Sequence, residues 1–132
     1  MAEVRNRPLS PHIGIWRWRL HMLLSISHRG TGMVNTVAAV CLVWWLVALA
    51  SGPEDYARFV SSVESWFGRL VLFGFTLSFM LHMATGIRHL IMDTGAGLEI
   101  GQNKRLNRTV VAAAIVATIL VWVLGYWSAG EF

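Results

Sequence analysis

The chain has 132 residues, of which 55% are apolar and 14% charged, and its formal net charge is +4. Soluble domains carry about a quarter charged residues, so this composition and a mean hydropathy of +0.55 indicate a protein of the lipid bilayer. A single cysteine, Cys41, excludes a disulfide-stapled secreted scaffold. Nucleic-acid binding is not indicated either, because the cations cluster at the ends of apolar segments and form no stripe with aromatic residues.

Three apolar segments each approach the roughly 20 residues that cross a hydrocarbon core about 30 Å thick. We predict membrane spans over about residues 22–51, 64–93 and 107–128. A backbone in lipid must satisfy its own hydrogen bonds, and 132 residues with such long apolar runs cannot close a barrel. The predicted fold is therefore an all-α integral membrane protein, with an amino-terminal segment over 1–20 and a three-helix transmembrane domain over 21–132.

Short flanking segments predict the orientation of these spans. Five arginines precede the first span or lie near its beginning, and four basic residues lie between the second and third spans. The first loop has only two basic residues, Arg58 and Arg69, together with three acidic ones. The positive-inside rule places the amino terminus and the second loop in the cytoplasm, and the first loop and Phe132 outside. We find no signal peptide and no convincing transit peptide, which favours a bacterial inner membrane over a mitochondrial one.

Glycine and proline mark the ends of the first two helices. Ser51-Gly52-Pro53 is expected to end the first one, and a stretch with Gly95, Gly97 and Gly101 to break the chain after the second.

A first polar cluster lies near the beginning of the first span. Ser25, His28, Arg29 and Gly32 are spaced three or four residues apart, which places them on one helix face. A guanidinium with a nearby hydroxyl is suited to bind a carbonyl oxygen or an anion by hydrogen bonds. The alternative is that Arg29 only extends to the phosphate layer, which leaves Ser25 and His28 without a role.

A second polar stripe follows the second span, with Ser78, His82, Gly86, His89 and Asp93 at steps of three or four. His82 lies about 9 Å from the charged bracket at Arg88, inside the apolar region. A neutral imidazole there is suited to be an axial ligand of haem iron, and small neighbours leave room for a flat macrocycle. The alternative is that His82 donates a hydrogen bond to another helix and the small residues allow close packing. His89 and Asp93 are expected to form a local pair.

Three sequence blocks resemble the cytochrome b-type membrane-anchor subunit of succinate dehydrogenase, respiratory complex II. The first runs from Arg7 to His12 (RPLSPH), the second from Ser25 to Gly32 (SISHRGTG) and the third from His82 to Asp93 (HMATGIRHLIMD). They occur in the order and at the spacing of that family, and the three-span layout covers nearly the whole chain.

The resemblance implies a helical anchor bundle that carries haem b, within a complex of four subunits. The partners would be a flavoprotein with FAD, an iron–sulfur protein with its clusters, and a second membrane anchor. His82 would be an axial ligand of the haem iron, the other ligand coming from the second anchor. His28 would lie near a haem propionate, and Ser25 and Arg29 would bind ubiquinone.

The function expected from these features is that of a membrane-anchor subunit of succinate:ubiquinone oxidoreductase. The chain would not oxidise succinate alone, because one cysteine cannot hold an iron–sulfur cluster that usually needs four. Two alternatives stay open: a fumarate reductase anchor, and a haem-free structural or assembly protein of the membrane.

Overall fold

The structure, a computed structural model, describes residues 10–130 apart from the side chain of Ile13. Arg5, the segment 7–9 and Phe132, on which parts of the topology prediction and of the resemblance depend, lie outside the described residues.

All regular structure within residues 10–130 is helical. A 3₁₀ turn at His12–Ile15 precedes four α-helices, which are α1 (Leu20–Ser51), α2 (Pro53–Glu64), α3 (Trp66–Asp93) and α4 (Ile100–Ser128). Three of them, α1, α3 and α4, have 32, 28 and 29 residues and are long and apolar enough to cross a membrane. The prediction of an all-α protein with three transmembrane helices is confirmed.

The helices do not start where the predicted spans start. α1 begins at Leu20 and α4 at Ile100, ahead of residues 22 and 107, whereas α3 begins at Trp66, after residue 64. At 1.5 Å per residue, all three are longer than a hydrocarbon core of about 30 Å. A helix end therefore does not mark the bilayer boundary, and the limits of the spans stay predictions.

The short helix α2 was not predicted from the sequence. Pro53 occupies its first turn, where proline costs no hydrogen bond, and Glu54 and Asp55 suit the positive end of the helix dipole. Both carboxylates pair with Arg58, at 2.7 and 3.0 Å. α2 packs against α1 and α3, and Phe59 lies edge-on to Trp44 with ring centroids 4.8 Å apart.

Two glycine-containing corners connect the helices. At the first, the hydroxyl of Ser65 accepts a hydrogen bond from the backbone N–H of Gly68 at 3.0 Å, and a Cβ on Gly68 would collide with the backbone of Ser62 and Val63. At the second, Gly95 and Gly97 adopt positive φ after α3 ends at Asp93. Gly101 lies inside α4, so the prediction that it belongs to this break was wrong.

α3 is the central helix and packs against both α1 and α4. On α4, the buried residues recur every three or four positions, at Asn107, Val110, Ala114 and Thr118. Near the other end of the same interface, the indole N–H of Trp122 donates to the Thr76 hydroxyl at 3.2 Å. Most large apolar side chains point outward, as expected for helices that lipid or partner helices surround.

Candidate functional site

Two histidines meet where α1 packs against α3. The imidazole rings of His28 and His82 are stacked, with centroids 4.0 Å apart and planes 10° from parallel. The ring of His89 lies edge-on to His28 at 5.2 Å. The structure therefore brings the two polar stripes together at this point, which neither stripe indicates separately.

A backbone carbonyl determines the tautomer of His82. Its Nδ1 lies 3.0 Å from the carbonyl oxygen of His28, and a carbonyl can only accept, so Nδ1 carries the proton. The hydroxyl of Thr31, 3.2 Å away, is a further neighbour of the same atom. Nε2 consequently has an unshared electron pair, and no described residue forms a hydrogen bond with it. Such an imidazole has the orientation and tautomer that metal-binding histidines typically have.

His28 is held by a threonine of the opposite helix. Its Nδ1 lies 2.7 Å from the hydroxyl of Thr85, whose proton points to the Leu81 carbonyl at 2.7 Å. The hydroxyl therefore accepts from His28. Thr85 has no exposed surface and His28 is half-buried, so this hydrogen bond between α1 and α3 is partly shielded from its surroundings.

Two glycines leave space beside the histidine rings. A Cβ on Gly32 would lie 3.3 Å from Cε1 of His82, closer than an ordinary contact, and one on Gly86 would lie 3.8 Å from Cε1 of His28. A side chain at Gly32 would therefore crowd the ring of His82, whereas one at Gly86 would make an ordinary contact with the ring of His28.

Ser78 closes the α1–α3 interface one turn beyond His82. Its hydroxyl donates to the side-chain oxygen of Asn35 at 2.9 Å and lies 3.3 Å from the carbonyl of Thr31. The residue is buried, so the stripe on α3 is a helix-packing surface at this position.

Ser25 and Arg29 differ from the histidines because neither side chain has a polar partner within residues 10–130. Ser25 is half-buried and Arg29 is exposed, one helical turn apart on α1. Their hydroxyl and guanidinium are therefore available to another molecule. Asp93 is also exposed, and the expected pair between it and His89 does not form in the described structure.

Three residues of the site were missed from the sequence: Thr31, Asn35 and Thr85. Thr31 and Thr85 each lie three positions after a histidine, and Asn35 follows Thr31 by four. The signal was therefore present as polar side chains at helical spacing inside apolar runs. Threonine often bonds its own helix backbone, however, as both do here, so spacing did not reveal their contacts across the interface.

Known proteins match this chain over nearly its whole length. A family model described as succinate dehydrogenase/fumarate reductase transmembrane subunit matches residues 3–121. The succinate dehydrogenase cytochrome b556 subunit of Paracoccus denitrificans is 36% identical over 126 residues, covering 94% of this chain and 97% of the relative. That of Rickettsia prowazekii (strain Madrid E) is 35% identical over 122 residues, covering 92% and 95%. The mitochondrial cytochrome b560 subunit of Sus scrofa is 36% identical over 118 residues, covering 86% and 69%.

Proposed function

We propose that this chain, which belongs to the succinate dehydrogenase/fumarate reductase transmembrane subunit family, provides one axial ligand of haem b and part of a ubiquinone site. The coarser role follows from membership: it is a cytochrome b membrane-anchor subunit of the succinate dehydrogenase type. The expected family is confirmed. Which residues bind haem and quinone is our proposal.

The tautomer of His82 carries the haem proposal. Its Nδ1–H donates to the His28 carbonyl, so the electron pair of Nε2 is available to iron, and Gly32 leaves room for the ring. Haem b, when bound, supplies one-electron redox capacity at this position. The donor chemistry of the residues present fits such a group, with His82 as the iron ligand and a second ligand from the partner anchor.

His28 is proposed to hold a haem propionate. Thr85 fixes its Nδ1, and no described residue forms a hydrogen bond with its Nε2. As an imidazolium, His28 would donate from Nε2 to a carboxylate and from Nδ1 to Thr85 at the same time. Its stacking on His82 places it beside the proposed iron ligand.

Ser25 and Arg29 are proposed to bind the carbonyl oxygen of ubiquinone. Reduction of one ubiquinone to ubiquinol takes two electrons and two protons, and the oxygens gain negative charge before the protons arrive. The guanidinium of Arg29 would stabilise that charge, and the hydroxyl of Ser25 would donate a second hydrogen bond. The absence of any polar partner for either side chain within the described residues supports this role.

The proposal also covers the orientation of the chain in the membrane and its partner subunits. The positively charged flanks support a position of the beginning of α1 and of the α3–α4 turn at the cytoplasmic face of a bacterial inner membrane. A flavoprotein and an iron–sulfur protein would dock there, and the iron–sulfur protein would pass the electrons of succinate to quinone near Arg29. The isolated chain would not oxidise succinate.

Substitution of His82 tests the proposal. The complex, purified through a tag on this chain with its partners retained, is compared as the wild type, His82→Ala and the control His21→Ala, whose histidine is exposed near the start of α1. We expect His82→Ala to lose the b-type haem band in a dithionite-reduced minus oxidised spectrum, while His21→Ala keeps it. Unchanged haem in His82→Ala would exclude the ligand role. No haem in the wild type would favour the structural alternative.

A further inference from the structure

A cleft of about 740 Å³ opens between α1, α3 and α4 at the end of the bundle where α1 begins. Four cationic side chains line it, Arg19, Arg88, Lys104 and Arg108, and none of its lining residues is acidic. His82, Arg29 and Ser25 are not among those lining residues, so the cleft is lined by a different set of residues from the proposed haem and quinone sites.

Arg88 is the central feature of this cleft. It is only 4% exposed, and its buried Nε has no hydrogen-bond partner within residues 10–130. The two ion pairs within residues 10–130 both lie on α2, where Arg58 pairs with Glu54 and Asp55. Burying a guanidinium without a counter-charge costs several kcal/mol. An anion in the cleft would remove this cost.

Asn107 adds an unsatisfied acceptor to the same cleft. It is 2% exposed, and its side-chain NH₂ donates to Asn103 at 2.9 Å, whose own NH₂ lies 3.3 Å from the Gly97 carbonyl. These two hydrogen bonds turn the NH₂ group of Asn107 toward Asn103. The buried Oδ1 of Asn107 is left without a donor within residues 10–130. Asn107 is therefore a second polar residue in the wall of the cleft whose hydrogen bonding is incomplete within residues 10–130.

The position of the cleft and its apolar lining indicate that a lipid supplies this anion. Leu98 and Ile100 border the cleft and are largely exposed. The cleft also lies where the apolar run of α3 ends at Arg88 and that of α4 starts after Arg108, which is the level of lipid headgroups.

We propose that this cleft binds the headgroup of an anionic phospholipid such as phosphatidylglycerol. The phosphate accepts from the guanidinium of Arg88, and the acyl chains lie along the apolar border. Basic pockets between membrane helices are suited to such headgroups.

Native mass spectrometry of the delipidated complex tests the proposal. The complex in detergent is supplied with phosphatidylglycerol, with phosphatidylcholine of the same acyl chains, or with soluble glycerol phosphate. We expect a preference for phosphatidylglycerol that falls about tenfold in Arg88→Gln, since this variant loses a charged hydrogen bond to the phosphate. The control Arg105→Gln also removes one positive charge, but from an exposed position on α4 that does not line the cleft, and it should keep the preference.

Asn107→Asp keeps the test informative if Arg88→Gln fails to assemble. It has nearly the same shape and places a carboxylate in the cleft, which neutralises the cations and repels phosphate. We expect it to assemble and to lose the preference for phosphatidylglycerol. Equal binding of both lipids by the wild type, equal losses in Arg88→Gln and Arg105→Gln, or equal binding of glycerol phosphate would each overturn the proposal.

Discussion

The Nδ1 atom of His82 on α3 lies 3.0 Å from the backbone carbonyl oxygen of His28 on α1. This contact joins two helices and sets a side chain's tautomer at once, because a carbonyl accepts only from a protonated nitrogen. It leaves Nε2 as the atom that can coordinate a metal. The helix contact and the proposed ligand chemistry therefore depend on each other, and changes near this pair should affect both.

Gly32→Ala should weaken haem binding although His82 itself is not substituted. The new Cβ would lie 3.3 Å from Cε1 of His82, so the ring must shift by a few tenths of an ångström. Overpacking of this kind costs about 1 kcal/mol or more, which weakens haem retention about fivefold.

The matched control for this prediction is Gly30→Ala, since a Cβ on Gly30 meets nothing within 4 Å. Haem content per complex and the reduced minus oxidised spectrum are measured for both variants. If both retain haem as the wild type does, the position of the His82 ring does not matter for binding.

Thr85→Val should loosen the contact between α1 and α3. Valine has nearly the same shape but cannot accept from Nδ1 of His28, so a polar nitrogen is left unsatisfied at a cost of about 1–3 kcal/mol. The midpoint of thermal dissociation of the solubilised complex, followed by size-exclusion chromatography, should fall. Thr36→Val removes an exposed hydroxyl from α1 and should leave the midpoint unchanged. Equal midpoints for the two variants would contradict the role of Thr85.

Arg29→Gln should lower quinone reduction more than succinate oxidation. The proposed carbonyl contact is worth roughly 1.5–3 kcal/mol, so succinate:ubiquinone activity should fall roughly tenfold or more. Activity with an artificial acceptor that takes electrons before the quinone site should persist. Arg105→Gln, which changes an exposed cation on α4, serves as the control. A parallel loss of both activities would instead assign Arg29 to assembly of the complex.

Composition and spacing alone determined the fold class and singled out the candidate residues, whereas the roles proposed for those residues came from the family resemblance. Three uncharged stretches long enough for a bilayer leave a helix as the backbone's way to satisfy its hydrogen bonds. The polar exceptions then stood out against lipid-facing residues: Ser25, His28 and Arg29 on one helix, His82 on the next. Conspicuous polar residues in an apolar run are visible in a sequence because the bilayer makes them costly.

Tertiary structure decided which polar groups meet. Only the packing of α1 on α3 stacks His28 on His82, pairs His28 with Thr85 and gives Nδ1 of His82 its carbonyl. Only the packing of the helices buries Arg88, which in the sequence is the charged end of an apolar span, and leaves it without an ion-pair partner within residues 10–130. Helical periodicity determines the face on which a side chain lies. The partner across the interface depends on the register and rotation of two helices, which local spacing does not encode.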